Sequence, residues 1–203
     1  MFLASVLVAA TMMFQGVDDT GTAVARPIGD VKLEPTTGSY FQMFEFYGRP
    51  PHTWEHAQRM VRGYRYKERE GRLAHVKTGA VHYFLLLNFL DLHSNKAWIG
   101  LSATCDEKAE IEWLDGSKLA DQSFRAWNDG TARNISRTCK AAKLSGRVMP
   151  VFYDSHELGL RWEVNNEKAN LKYMMVEFPE LEDEPVEGDA ENADENQPSD
   201  GTQ

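Results

Sequence analysis

At 203 residues, with 42% hydrophobic and 26% charged residues, the chain has room for one globular domain plus unstructured ends and not for two full domains. Its net charge of −9 is unevenly spread: residues 180–203 hold ten of the 31 acidic residues and no Lys or Arg, which leaves 22 basic against 21 acidic residues elsewhere. A near-neutral body without a Lys/Arg stripe lacks the electrostatic footprint that phosphate backbones select, so nucleic acid is excluded as the expected partner.

The first fourteen residues, MFLASVLVAATMMF, are apolar but too few to span a bilayer, and a small-residue site follows at Ala23-Val24-Ala25. This predicts a signal peptide over 1–25, a secreted or extracytoplasmic protein, and a mature chain without a membrane span. Residues 26–38, with Pro, Gly and Thr, read as a linker. Next, SYFQMFEF (39–46) has the aromatic-rich alternation of a strand, ended by Gly48-Arg49-Pro50-Pro51. Thr53 is a good N-cap, and Trp54, Ala57, Val61 and Tyr64 share one face at helical spacing, so an amphipathic helix starts there. A second helix is predicted over about 78–90, TGAVHYFLLLNFL; apolar around most of its circumference, it is expected deep between layers.

From Ala97 the pattern changes to short strands: AWIGLS (97–102), EIEWL (110–114) closed by Asp115-Gly116, RVMPVFYD (147–154), LRWEV (160–164) and LKYMMVEF (171–178). Pro150 marks its strand as an edge or a bulge. Between them, residues 117–146 form a long irregular stretch that Phe124 and Trp127 mark as ordered and therefore of functional interest. Helices grouped before strands give an α+β class. Residues 180–203, with one Leu, one Val and no aromatic residue, cannot bury enough apolar surface to fold and read as a disordered acidic tail. Cys105 and Cys139 form one bridge in an oxidising compartment or stay as two thiols, and their spacing alone does not decide.

TWEHAQRMV (53–61), GRLAHV (71–76), WIGL (98–101), IEWLDGS (111–117), FRAWNDGTARN (124–134) and YMMVEF (173–178) resemble, in order and spacing, a C-type lectin-like domain over residues 39–179. The resemblance implies two helices flanking short antiparallel sheets, with a long ordered loop. Trp98 and Leu101 would then pin the first core strand, and Trp113 with the Asp115-Gly116 turn would anchor the loop's root. It also implies that Val61 and Val176, which stand where the family's helix-to-last-strand disulfide usually lies, are near neighbours. Cys139 matches a bridge-forming position whose usual partner here is Glu167.

Sugar-binding members of that family hold calcium with a Glu-Pro-Asn or Gln-Pro-Asp triplet and a Trp-Asn-Asp strand. Here the matching residues are Thr131-Ala132-Arg133 and Trp162-Glu163-Val164, so the usual calcium site is not expected, because a hard cation needs several anionic oxygens. No cofactor is expected; calcium stays open only through a register shift that gathers Asn128, Asp129, Asn134, Glu163, Asn165 and Asn166. The candidate ligand-binding residues are Trp127, Asn128, Asp129, Arg133, Asn134, Glu163 and Asn165, with Trp127 able to stack on a sugar face and Arg133 to bond its hydroxyls. The plainer reading makes Asn128-Asp129-Gly130 and Asn165-Asn166 turns and Trp127 a core plug for the loop. Asn134-Ile135-Ser136 fits an N-glycosylation pattern that chance also produces.

His52-Thr53-Trp54-Glu55-His56 formally matches the zinc-hydrolase pattern His-x-x-Glu-His. Pro50-Pro51 and the N-cap at Thr53 put His52 outside the helix, pointing independently of His56, so catalysis remains a remote alternative. The reading is a non-catalytic extracytoplasmic module that recognises carbohydrate without the usual calcium site or, alternatively, binds protein or serves as structure. An exposed Trp127 in a shallow polar concavity would favour sugar, and a broad apolar patch would favour protein.

Overall fold

A computed structural model describes residues 24–105, 109–128, 130–131, 135, 137, 139, 146–156 and 159–181. Strand β1 (Val24–Leu33) and β2 (Tyr40–Tyr47) lead into helix α1 (Trp54–Val61), the short strands β3 (Arg65–Tyr66), β4 (Arg69–Glu70) and β5 (Arg72–Leu73), and helix α2 (Gly79–Asn88). Strands β6 (Ala97–Cys105), β7 (Glu110–Trp113), β8 (Arg147–His156), β9 (Gly159–Val164) and β10 (Tyr173–Phe178) follow. The main sheet runs β1-β2-β10-β6-β8-β9, with β5 on β10 and β7 on β6. All its pairings are antiparallel except β10 with β6, so the last strand returns to lie between the second and the sixth. Two helices, antiparallel ribbons and a last strand closing on the early part of the chain are the α+β, C-type lectin-like arrangement expected from the motifs.

The period of two along the strands divides the core. On β2, Phe41 and Met43 join Val81 and Leu85 of α2, while Phe44 and Phe46 join Trp54, Ala57 and Val61 of α1. On β10, Met175 belongs with the first group and Met174, Val176 and Phe178 with the second. Val61 and Val176 thus sit in one buried cluster, as the family resemblance implies. Thr53 caps α1 by accepting from the His56 backbone N–H, and Thr78 caps α2 in the same way through Val81.

Gly100 is required by a close approach. The chain at 73–75 wedges between β10 and β6, with the Gly100 N–H donating to the Ala74 carbonyl and the Ala74 N–H to that of Met175. A Cβ on Gly100 would lie 2.5 Å from the Leu73 carbonyl oxygen and 2.7 Å from His75 Cδ2. The wedge is held from the other side by Glu177, a buried carboxylate. It accepts from Arg72 Nε and Nη2 at 3.1 Å each, from Ser39 Oγ at 3.0 Å and from the His75 N–H at 2.9 Å. Trp98 and Leu101 are fully buried on β6, and Trp113 donates from Nε1 to Gln122 Oε1 at 2.9 Å beside the Asp115-Gly116 turn.

Several elements differ from expectation. A ten-residue strand, β1, occupies Val24–Leu33, where the sequence reads as the end of a leader and a linker, and Ala25 is buried against Tyr64 and Phe46 in the α1 cluster. Helix α2 is not enclosed: only Val81, His82 and Leu85 are buried, and Leu87 is 72% exposed. Pro150 is not at an edge: it lies in β8, between β6 and β9, and it adjoins the register irregularity of the β6–β8 pair, which falls between Trp98 opposite Phe152 and Ser102 opposite Pro150. Cys105 and Cys139 are bridged, so the open choice between thiols and a disulfide resolves as a disulfide between β6 and the long loop. Of the expected leader 1–25, residues 1–23, and of the expected tail 180–203, residues 182–203, lie outside the described residues.

Candidate functional site

The long loop is seated on β9 by one indole. Trp162, fully buried, meets the rings of Trp113, Phe124 and Trp127 edge-on at centroid distances of 5.7, 5.7 and 5.4 Å. Its backbone holds the loop as well: the Trp162 N–H donates to the Ala126 carbonyl at 2.7 Å and the Asn128 N–H to the Trp162 carbonyl at 3.2 Å. Loop residues 126–128 therefore run as a short parallel extension of β9. Trp127 is half-buried and packs into two core clusters, as a plug for the loop should.

Glu163, the next residue on β9, points the other way and closes the loop's first turn. Its Oε1 accepts from Asn128 Nδ2 and its Oε2 from Thr131 Oγ1 at 2.9 Å, while the Thr131 N–H donates to the Asn128 carbonyl. Both carboxylate oxygens are thereby engaged by uncharged donors. Asn165 is committed elsewhere: its N–H donates to the Pro150 carbonyl at 3.0 Å and its Oδ1 accepts from the Asn166 N–H at 2.9 Å. Asn166 opens the turn expected of that pair, its Oδ1 accepting from the Lys168 N–H and its carbonyl from the Ala169 N–H at 3.0 Å each. Of the seven candidate residues, Trp127, Asn128 and Glu163 are brought together, Asn165 serves a turn after β9, and Asp129, Arg133 and Asn134 lie outside the described residues.

The usual calcium arrangement does not fit these side chains. Val164 offers no side-chain oxygen, and Glu163 spends both of its oxygens on Asn128 and Thr131. Among the described residues no group of three or more His, Cys, Asp or Glu is placed to hold a metal ion. The His52-Glu55-His56 pattern shows why: His52 precedes the cap, and its ring stacks on Phe46 at 4.9 Å with the planes 6° apart. His56 packs on the same Phe46 ring at 5.9 Å, so the two histidines share one partner and do not point independently. Burial and the neighbouring His56 lower the His52 pKa, and Glu55 faces a separate exposed cleft with Pro50 and Pro51.

Two further buried histidines flank the loop's root. His82 Nδ1 and the Tyr153 hydroxyl share a 2.9 Å hydrogen bond inside the core; burial, helped by Arg161, pushes the His82 pKa down to about 4 and burial raises that of Tyr153. His75 lies under the Asp115 turn, 3.4 Å from Asp115 Oδ2; burial, helped by Arg72, pushes its pKa down to about 3. Burial would raise the Asp115 pKa, but hydrogen bonds from Lys77 and Ser117 hold it well below the usual carboxylate range. These groups are uncharged or paired and pin the scaffold.

Sequence reasoning missed a second surface. Tyr83, Leu87 and Leu90, at i, i+4 and i+7 along α2 and the turn that follows, are 62%, 72% and 74% exposed. The signal was present in TGAVHYFLLLNFL: a helix apolar on every side, packed against a single sheet face, must leave one apolar face uncovered.

No protein-family model and no curated protein matches this sequence. Among solved structures the chain is similar to rhodocetin, at 14% identity over 70% of this chain and 91% of that one with a TM-score of 0.41. It is similar to EMS16, described as an antagonist of the collagen receptor integrin alpha2beta1, at 15% over 70% and 92% with a TM-score of 0.41. It is also similar to CEL-IV, at 16% over 73% and 92% with a TM-score of 0.49. The C-type lectin-like fold rests on the strand order and on the burial of Trp98, Leu101 and Trp113 already described. No helix among the described residues is long and apolar enough to cross a membrane.

Proposed function

We propose that the chain is a non-catalytic binding module that takes a protein ligand on the outer face of α2, with the long loop acting as a braced wall of the domain. The observation that carries this reading is the exposed stripe of Tyr83, Leu87 and Leu90. Contiguous apolar surface on a folded domain is the feature of protein contacts rather than of sugar sites, which use one aromatic face among polar groups. The disulfide between Cys105 and Cys139 supports an extracytoplasmic setting, where such bridges persist.

A second reading keeps carbohydrate at Trp127, Asn128, Glu163, Asn165 and the adjoining Asp129, Arg133 and Asn134. It is favoured by Trp127 and Asn128, successive loop residues that are both only half-buried. Against it, Trp127 is wedged edge-on onto Trp162, and Asn128 and Glu163 bond each other. The two readings separate in one experiment: the full chain, its Leu87→Asp/Leu90→Asp variant and its Trp127→Ala variant are assayed on a glycan array and on an array of extracellular proteins. Protein binding abolished by the α2 changes and retained in Trp127→Ala supports the proposal. Glycan binding lost in Trp127→Ala and kept in the α2 variant overturns it in favour of carbohydrate.

A further inference from the structure

The near-neutral balance of the body hides a local excess that contradicts the absence of a basic stripe. Residues 59–73 carry Arg59, Arg62, Arg65, Lys67, Arg69 and Arg72 against Glu68 and Glu70 alone. The fold spreads them over one continuous stretch, from the end of α1 through the β3–β4 hairpin to β5. Arg59, Arg62, Arg65 and Lys67 are exposed. Arg62 and Arg72 line one shallow cleft with Gln58 and His75. Around the hairpin, Tyr40 and Tyr66 meet edge-on at 4.9 Å and carry the Lys67 ammonium 4.6 Å above the Tyr40 ring and the Arg69 guanidinium 4.9 Å above it.

The chain leaves the fold beside this surface. The last residue of β10, Phe178, pairs with Tyr40 and packs its ring against Tyr66 at 5.8 Å. Two residues on, the Glu180 carboxyl group lies 2.6 Å from where a Cβ on Gly38 would be, and the Gly38 carbonyl oxygen accepts from Arg69. The first acid of the terminal segment is thus already laid over the residue that Arg69 holds. Residues 182–203 follow, with nine Asp or Glu and no Lys or Arg. A chain of that length, even as a flexible coil, reaches about 25 Å, enough to cover the hairpin and the end of α1.

We infer that the basic surface around the β3–β4 hairpin and the end of α1, with Arg62, Lys67 and Arg69 and with Arg65 across the hairpin beside Glu70, is the docking surface of the chain's own acidic segment 182–203. The contact is electrostatic and needs no folding of the segment, because many weak carboxylate–guanidinium pairs act together at short tether length. Docked, the segment covers the basic face against other polyanions and leaves the α2 stripe and the long loop uncovered.

The test uses the full chain, labelled with nitrogen-15, and follows the backbone amides of 182–203 at low and at high salt. Raising sodium chloride from about 20 mM to about 500 mM shortens the screening length from roughly 20 Å to roughly 4 Å. The expected result is that the amides of the segment shift and show faster transverse relaxation at low salt, that high salt removes most of this difference, and that Arg62→Glu/Arg65→Glu/Lys67→Glu removes it at low salt. The exposed positions of these three side chains leave the core untouched, and an unchanged amide spectrum of β2, β6 and β10 verifies the fold. Segment amides indifferent to salt in the wild-type chain overturn the inference, and so does a salt response that the triple variant leaves intact, since the segment would then dock elsewhere.

Discussion

Breaking the Cys105–Cys139 bridge tests how the long loop is secured. The bridge closes a segment of sequence separation 34, with Cα atoms 5.2 Å apart, and joins the end of β6 to a part of the loop that also buries Ile135 against Ala103 and Met149. Removing a cross-link of that span frees unfolded-chain entropy equivalent to about 3.8 kcal/mol at room temperature on the loop-closure relation. For a domain of this size each kcal/mol moves the midpoint by about 2–4 °C, so the loss is about 8–15 °C. The perturbation is Cys105→Ala/Cys139→Ala, with reduction of the wild-type chain as a second route that leaves every side chain in place. The assay is thermal unfolding followed by circular dichroism, with a thiol count of the oxidised protein under denaturing conditions. Two free thiols per chain, or a midpoint lowered by less than about 2 °C on both routes, would refute the reasoning.

Gly100→Ala places a methyl group against the Leu73 carbonyl, which belongs to backbone and cannot rotate away; a loss of about 1–3 kcal/mol is expected in urea unfolding at unchanged slope, and wild-type stability would show that the wedge yields. Glu177→Gln leaves Arg72 without its charge partner while keeping the shape, and should cost about 2 kcal/mol, read the same way. His75 has an unfolded pKa near 6.5 and a folded one of about 3, so the unfolded chain binds the extra proton between them. Stability is therefore full above pH 6.5 and falls as the pH drops towards 3, by about 1.4 kcal/mol per pH unit from this group; the Asp115 carboxylate, whose pKa is also lowered, adds acid sensitivity in the same direction below its ordinary range. Denaturation midpoints across that window should flatten in His75→Leu, and an undiminished slope in the variant would discard the assignment. Calcium at millimolar concentration should leave the melting temperature where chelator leaves it; a clear rise would return Asn128, Asp129, Glu163 and Asn165 to candidacy as ligands.

What was legible in the residues is what local chemistry decides. Thr53 and Thr78 mark helix starts because a hydroxyl there satisfies an orphan N–H, and Trp98, Leu101, Trp113 and Asp115-Gly116 mark strands and a turn by patterning. Strand β1 was illegible because VARPIGDVKL contains Pro27 and Gly29 and no sustained alternation; it is a strand because the edge of β2 pairs with it, across an irregularity between Ile28 and Lys32. The exposure of α2 was illegible for the converse reason: composition counts apolar residues, and only the sheet decides which of them find a neighbour. At the loop, Asn128 and Glu163 were picked as oxygen donors to a ligand, but 35 positions of sequence separation concealed that they bond each other.

The strand order carries a mechanical consequence. β1 and β10 flank β2, both antiparallel to it, with Val24 opposite Tyr47 at one end of β2 and Phe178 opposite Tyr40 at the other. Tension entering before Val24 and leaving after Phe178 would pull β1 and β10 in opposite directions along their own axes. The hydrogen bonds of antiparallel ladders lie across the strands, so such a load meets the whole row at once and strains it in shear, instead of opening it one bond at a time like a zip. Joined to other chain at both ends, this domain would transmit a stretching force through three strands while α2, which lies on the Phe41 and Met43 face of the sheet, stayed out of the line of load.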